Sequence, residues 1–308
     1  MRMTDKQHPS RFATDAVHSG TQHIGDAVNT PIFQSSTYKL TDERYAGWAA
    51  GAQHTLLYAR LSTVNSDAVA QKLMALEGGE DAETFSSGMG AISATLMALL
   101  NQGDHMVASA DIYGGTYGLL TEEFPRFGIS TTMADMRDPA SYEAAIQDNT
   151  KLLYIETLTN PVLKVCDIEA MADVAKRHNL LLLIDNTFAS PWGCKPLDMG
   201  VDLVLHSTTK YLGGHSDILG GAVVGSKDLI AQIFMRKVHF GAAPDPHSCY
   251  LLERGMRTLD VRMPRICENA HLLAQRLESH DAIERVYHSK LESHPDFEIA
   301  ERMLPRGS

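Results

Sequence analysis

Lys210 stands in a setting unusual for a lysine. The run Val201-Asp202-Leu203-Val204-Leu205 reads as a short buried strand rich in branched apolar residues, and it ends in the hydroxyl cluster Ser207, Thr208 and Thr209. A free lysine titrates near 10.4. Desolvation at the end of a buried strand lowers that value and leaves the amine able to attack an aldehyde. Short hydroxyls beside it, Ser207 and Thr209 in particular, can hold phosphate oxygens. An aldehyde-capturing lysine next to a phosphate site is what a pyridoxal phosphate enzyme needs. The plainer reading of these residues alone is a surface lysine in a turn.

A second stretch bears on the choice. Asn179 to Thr187, NLLLLIDNT, is another apolar run of strand length, and it ends in Asp185. An acid at the carboxyl end of a buried strand is costly unless it meets a cation. A protonated pyridine nitrogen is such a cation, and a hydrogen bond to it, worth about 1.5–3 kcal/mol, would keep the ring an electron sink. Asp185 and Lys210 lie 25 residues apart, room for a strand, a crossover and a neighbouring strand. A helix N-cap would account for Asp185 alone but not for its pairing with Lys210.

The positioning elements follow from periodicity. Residues 66–240 alternate strands with helices, which argues for an α/β fold with a mostly parallel central sheet, helices on both faces and active residues at strand ends. Asn65 to Glu77 has helical spacing, Asp81 to Phe85 reads as a strand, and Ser86-Ser87-Gly88-Met89 opens an apolar helix through Leu100. Backbone amides at such a helix start form an anion site, which makes Gly88 and Met89 the candidate phosphate cradle. His105 to Ala110 and Lys151 to Glu156 read as further strands, and Ile168 to Arg177 as the crossover helix before the Asp185 strand. Asp245 to His280 reads as a long amphipathic helix interrupted near Pro264.

Bulk composition excludes several classes. Among 308 residues, 27 Lys and Arg face 38 Asp and Glu, a net charge of -11, which repels nucleic acid and anionic membrane. Cys166, Cys194, Cys249 and Cys267 have neither zinc-ligand spacing nor a histidine ladder, so no metal is expected and the thiols read as reduced. The N-terminus lacks the apolar core of a secretory signal, and no segment is apolar enough to span a bilayer. A soluble cytoplasmic protein is the expectation.

The motifs TPIFQSSTY, YAR at Tyr58 to Arg60, FSSGMGA, YGGT at Tyr113 to Thr116, ETLTNP, IDNTF and HSTTKYLGGHSD occur in one order. In this the chain resembles the trans-sulfuration, or Cys/Met-metabolism, family of fold-type I pyridoxal phosphate enzymes, from about Ala16 to the last residue. The resemblance implies an N-terminal arm over 1–57, a cofactor-binding α/β domain over 58–244, and the start of a smaller, incomplete α+β domain over 245–308. It implies that Lys210 holds the cofactor and moves the substrate's protons, that Asp185 meets the ring nitrogen, and that Tyr113 stacks on the ring and assists the leaving group. Asn160 would bond the ring hydroxyl. Tyr58 and Arg60 would reach the phosphate of a neighbouring subunit, within a homotetramer built as a dimer of dimers; an arginine fork suits a phosphate dianion.

The implied activity is carbon–sulfur lysis or γ-replacement on a small sulfur amino acid or activated homoserine. Relatives acting on cystathionine or O-succinylhomoserine often carry an arginine two residues after the YGGT/S motif, where Tyr117 and Gly118 stand here. That leans toward an uncharged tail, as in methionine or O-acetylhomoserine, and makes an O-acetylhomoserine sulfhydrylase an alternative. Methionine γ-lyases usually have a cysteine where Gly115 stands, which points away from that member. The resemblance places the arginine that grips the substrate α-carboxylate beyond residue 308, so a cofactor-binding protein with poor turnover is a further expectation.

Overall fold

Seven short extended runs form the strands of one sheet, the central ones strongly apolar and the two edge runs, DAETF and STTMA, more polar. In the computed structural model, which describes residues 9–307, the strands are β1 (Asp81–Phe85), β2 (His105–Ser109), β3 (Ser130–Ala134), β4 (Thr150–Glu156), β5 (Leu181–Asp185), β6 (Leu203–His206) and β7 (Gly221–Gly225). Their order across the sheet is β1-β7-β6-β5-β4-β2-β3. The expected mostly parallel sheet is present, with β7 alone running against both of its neighbours. The short β7 run, GAVVG, begins and ends in glycine because its neighbours press close. A Cβ on Gly221 would lie 2.2 Å from the Ser87 carbonyl oxygen, and one on Gly225 2.5 Å from a Leu203 methyl.

Twelve α-helices are described: α1 (Pro9–His18), α2 (Asp42–Ala49), α3 (Val64–Glu77), α4 (Gly88–Leu99), α5 (Gly114–Gly118), α6 (Pro139–Ala145), α7 (Ile168–Arg177), α8 (Ser190–Gly193), α9 (Lys227–Phe240), α10 (Pro246–Met256), α11 (Leu259–Glu278) and α12 (Phe297–Met303). They cover both sheet faces, and the strands' period of two sorts the core accordingly. Leu153 and Ile155 of β4 pack with Met171 and Val174 of α7 and Met303 of α12. The intervening Leu152 and Tyr154 pack with Ile92 and Leu96 of α4 and Ile230 and Ile233 of α9. A third cluster joins Phe12 and Ala16 of α1 to Leu73 and Leu76 of α3, Met256 of α10 and Met263 of α11, over Val224 of β7.

One expectation needs correction. The helix over 245–280 does break, but at Arg257-Thr258, between α10 and α11, and Pro264 lies inside α11. Pro264 sits in the second turn, where the loss of one amide donor does not end the helix. The break falls beside Gly255, where a Cβ would come 2.2 Å from the Gly213 carbonyl oxygen, so this helix end is pressed against the turn that follows Lys210. The segment expected to be a plain arm contains α1, which contributes to the core, and α2, which buries nothing; Met1–His8 of that segment lie outside the described residues. The buried Lys72 amine donates to the carbonyls of Ala16 and Val17 at 3.0 and 3.4 Å, a cation placed where the end of α1 is electronegative.

The stretch that carries Tyr58 and Arg60 is tied down at several points. His54 Nδ1 lies 3.0 Å from Asp67 of α3, and its Nε2 3.7 Å from Asp81 of β1. Arg60 donates to the Val238 carbonyl at 2.8 Å, and Lys237 donates to the Leu61 carbonyl at 3.1 Å. Lys237 is buried, and its charge is met by Glu83 of β1 at 2.8 Å. Asp67 foremost, then Asp81, push the His54 imidazole up to about 10. A raised value means that its contribution to stability is full below the unfolded pKa of about 6.5 and is lost as pH rises through the folded value. His54→Asn is therefore expected to lower the melting temperature by about 2–4 °C near neutral and lower pH. Calorimetry across pH should show that difference shrinking toward zero above about pH 10.

Candidate active site

The carboxyl ends of β4, β5 and β6 bring acids, hydroxyls and the lysine together. Parallel register sets Glu156, the last residue of β4, opposite Asp185, the last of β5. The turn between β1 and α4 brings Ser87, Gly88 and Met89 to the same place. A cavity of about 220 Å³ opens there, and Gly88, Met89, Tyr113, Asn160, Asp185, Ser207, Thr209 and Lys210 all line it. These are eight of the ten residues singled out from the sequence. The other two, Tyr58 and Arg60, lie outside it on the surface, where the Arg60 guanidinium stacks 5.4 Å from the Tyr58 ring centre.

The α4 end of the cavity is built for an anion. Ser87 caps the helix, its hydroxyl accepting from the Gly90 amide at 2.9 Å, which leaves the first-turn amides of Gly88 and Met89 without intrahelical acceptors. Gly88 is required by close approach, since a Cβ there would lie 2.9 Å from Ser207 Cβ and 3.2 Å from its Cα. Ser207 and Thr209 flank this point. Thr208 instead is buried behind the turn, its hydroxyl directed at Gly220. The Thr209 hydroxyl accepts from the Gly220 amide at 3.1 Å, so it keeps the turn closed as well as bordering the cavity.

The other wall is acidic. Asp185 accepts from the Thr187 amide at 3.0 Å, and Thr187 in turn accepts from the Ser207 amide at 2.8 Å, linking acid and hydroxyl strand ends. Burial pushes the Asp185 carboxyl up, while the Thr187 hydrogen bonds and the charge of His206 favour its ionised form. Glu156 is pushed up to about 8, by burial first and then by the charge of Asp185. Its Oε1 accepts from the Tyr113 amide at 2.8 Å and so fixes the start of α5. The Tyr113 ring lies over Gly115, where a Cβ would meet ring atom Cε1 at 2.5 Å and the Met89 sulfur at 3.1 Å.

Lys210 departs from expectation. The strand before it is buried, but the turn that carries it leaves the sheet, and the lysine is solvent-exposed. It stands on the wall between the cavity and a second one of about 510 Å³ bounded by Tyr211, Gly214 and Arg262. The desolvation read from the sequence is therefore not supplied by the described residues.

Glu156, Thr187 and the apolar Ile92, Leu158, Phe188 and Leu219 also line the cavity, and none was given a role from the sequence. Glu156 carried a legible signal, an acid closing a buried strand, the same signal that singled out Asp185. The donor set fits pyridoxal phosphate: first-turn amides and hydroxyls for a phosphate, an acid for a ring nitrogen, an amine for the aldehyde, and a cavity for one small ring. Among the described residues no cluster of histidine, cysteine, aspartate or glutamate is arranged to hold a metal, and no helix is long and apolar enough to cross a membrane.

Comparison with known proteins agrees with this geometry. The chain belongs to the Cys/Met metabolism PLP-dependent enzymes, whose family signature it matches over residues 13–308. It is 42% identical over 300 residues to an L-methionine gamma-lyase of Porphyromonas gingivalis, covering 96% of this chain and 75% of that protein. It is 44% identical over 283 residues to a cystathionine gamma-lyase of Bacillus subtilis, covering 92% of this chain and 72% of the relative. Its fold superposes with a TM-score of 0.89 on the crystal structure of cystathionine gamma-lyase from Lactobacillus plantarum complexed with L-serine, at 39% identity, covering 95% of this chain and 75% of that one. The family's cofactor is pyridoxal phosphate, and its chemistry is carbon–sulfur lysis or γ-replacement in trans-sulfuration.

The close approach at residue 88 yields a test. Gly88→Ala is expected to weaken pyridoxal phosphate binding roughly tenfold or more, because the methyl must displace the Ser207 backbone. Titration of the cofactor against the folded variant measures this, and unchanged affinity would show that the cradle lies elsewhere.

Proposed function

We propose that this chain works as a carbon–sulfur lyase or γ-replacement enzyme in which Lys210, Asp185 and Tyr113 are the working residues. The observation that carries the reading is the convergence on one cavity, at the carboxyl ends of parallel strands, of eight residues singled out from the sequence and its family resemblance. Bound pyridoxal phosphate supplies an electron-withdrawing ring that acidifies the Cα and Cβ protons of an attached amino acid. With the cofactor bound, the Lys210 amine would hold its aldehyde carbon and would move the substrate's protons, taking one from Cα and carrying a second from Cβ. Asp185 holds the proton on the ring nitrogen. The Gly88 and Met89 amides, with the Ser207 and Thr209 hydroxyls, hold the phosphate, and Asn160 bonds the ring hydroxyl. The Tyr113 phenol covers the ring and assists departure of the γ-substituent.

Tyr58 and Arg60 act on a neighbouring copy. Within one chain they lie outside the cavity, on a segment anchored to α9 by Arg60 and Lys237. This supports a homotetramer in which two subunits complete each other's phosphate site. Four buried free thiols suit the reducing cytoplasm.

The substrate is a small amino acid with an uncharged tail, as in methionine or O-acetylhomoserine. Supporting this, Ile92, Leu158, Phe188 and Leu219 give the cavity apolar walls, and the residues after the YGGT motif are Tyr117 and Gly118. The test is to add L-methionine, L-cystathionine and O-acetylhomoserine in turn to the cofactor-loaded protein and assay 2-oxobutanoate. Release from a substrate with an uncharged tail is expected, whereas release from L-cystathionine alone would overturn this substrate choice. Lys210→Ala should lose the visible band of lysine-bound cofactor and slow turnover by about 10²–10⁴-fold; a variant that keeps both would remove Lys210 from its role.

A further inference from the structure

Behind the acidic wall lies a buried pair that the proposed chemistry does not use. Glu77 closes α3, and its side chain and that of His206, the last residue of β6, have no exposed surface. The last turn of a helix is electronegative, so a buried carboxylate there is disfavoured unless a cation answers it. His206 Nε2 lies within hydrogen-bond reach of it, 2.5 Å from Glu77 Oε1.

The same Glu77 oxygen accepts from Asn186 Nδ2 at 3.2 Å. Asn186 follows Asp185 directly, and its side chain is committed elsewhere as well. Its Nδ2 donates to the Cys194 carbonyl at 3.0 Å, and its Oδ1 accepts from the Thr157 hydroxyl at 2.7 Å. Thr157 follows Glu156, and its amide donates to the Asp185 carbonyl at 3.1 Å. One carboxylate oxygen of α3 thus ties the ends of β5 and β6 directly, and β4 through Asn186. Glu77, Glu156 and Asp185 put three carboxyls into this region, and His206 is the buried hydrogen-bonding base among them.

We infer that Glu77 and His206, neither of which lines the cavity, are positioning residues that hold Asp185 in place for the ring nitrogen of the cofactor. This rests on Asp185 being the ring-nitrogen partner. A pair serving only to stabilise the fold would leave that contact unaffected in any variant that folds.

The test compares the binding of pyridoxal phosphate with that of its 1-deaza analogue, in which carbon replaces the ring nitrogen. It uses the parent chain, Glu77→Met and His206→Leu; the first removes the oxygen shared by His206 and Asn186, and the second removes the ring donor at the end of β6. The parent is expected to prefer the natural cofactor by roughly 10- to 100-fold, the range for a hydrogen bond to a charged group. In each variant the preference should fall below about 3-fold, through weaker binding of the natural cofactor with the analogue's affinity unchanged. Folded variants that keep the parent's preference would overturn the inference, as would failure of both variants to fold by circular dichroism, which would assign the pair to stability. If one variant fails to fold, the other decides. A parent without preference would overturn the ring-nitrogen role of Asp185 itself, and this inference with it.

Discussion

Two carboxyl groups side by side at the ends of adjacent parallel strands are the interaction to which the rest of the site responds. Glu156 and Asp185 share a register position, so neither can be moved without shifting its strand. Like charges so close disfavour joint ionisation, and the surroundings divide the work between them. Glu156 turns its Oε1 to the Tyr113 amide, and its burial favours the protonated form. Burial pushes Asp185 up as well, and the Thr187 amide bond works against that shift. One acid is thereby a fixture for α5, and the other lines the cavity.

The remaining contacts come largely from backbone and from glycine. Gly88 lets α4 approach Ser207, and Gly115 lets the Tyr113 ring lie back over its own helix. An anion at the α4 end meets amides whose direction is set by the helix, which is why a short glycine-bearing turn serves better there than flexible basic side chains. Ile92, Leu158, Phe188 and Leu219 give the cavity an apolar side opposite its polar groups.

Much of this was legible in the sequence because the signals were local. The strands ending at Phe85, Glu156 and Asp185, and the helices over Val64–Glu77 and Ile168–Arg177, follow from periodicity and from acids placed where a buried strand stops. What sequence could not convey was tertiary. Pro264 looks like a helix breaker, yet the break occurs at Arg257-Thr258, beside the contact of Gly255 with a residue more than forty positions away. Lys210 follows a buried strand and is itself exposed, although Thr208 and Leu212 of the same turn are buried. Glu77 and His206 sit far apart in the chain, and nothing local to either announces that they meet.

The contact at Gly255 reaches further than the helix break. Gly255 leaves no room against the Gly213 carbonyl of the turn after Lys210, and the Arg262 guanidinium fills the space a Gly214 Cβ would need while donating to the Gly255 carbonyl at 2.9 Å. The Gly214 amide closes the turn onto the Lys210 carbonyl at 2.7 Å. With its main chain gripped in this way, the lysine owes its travel to the rotations of its four-carbon stem. Its amine is a short tether swinging from a fixed post, and the arc it sweeps is bounded by the two cavities on whose shared wall the post stands.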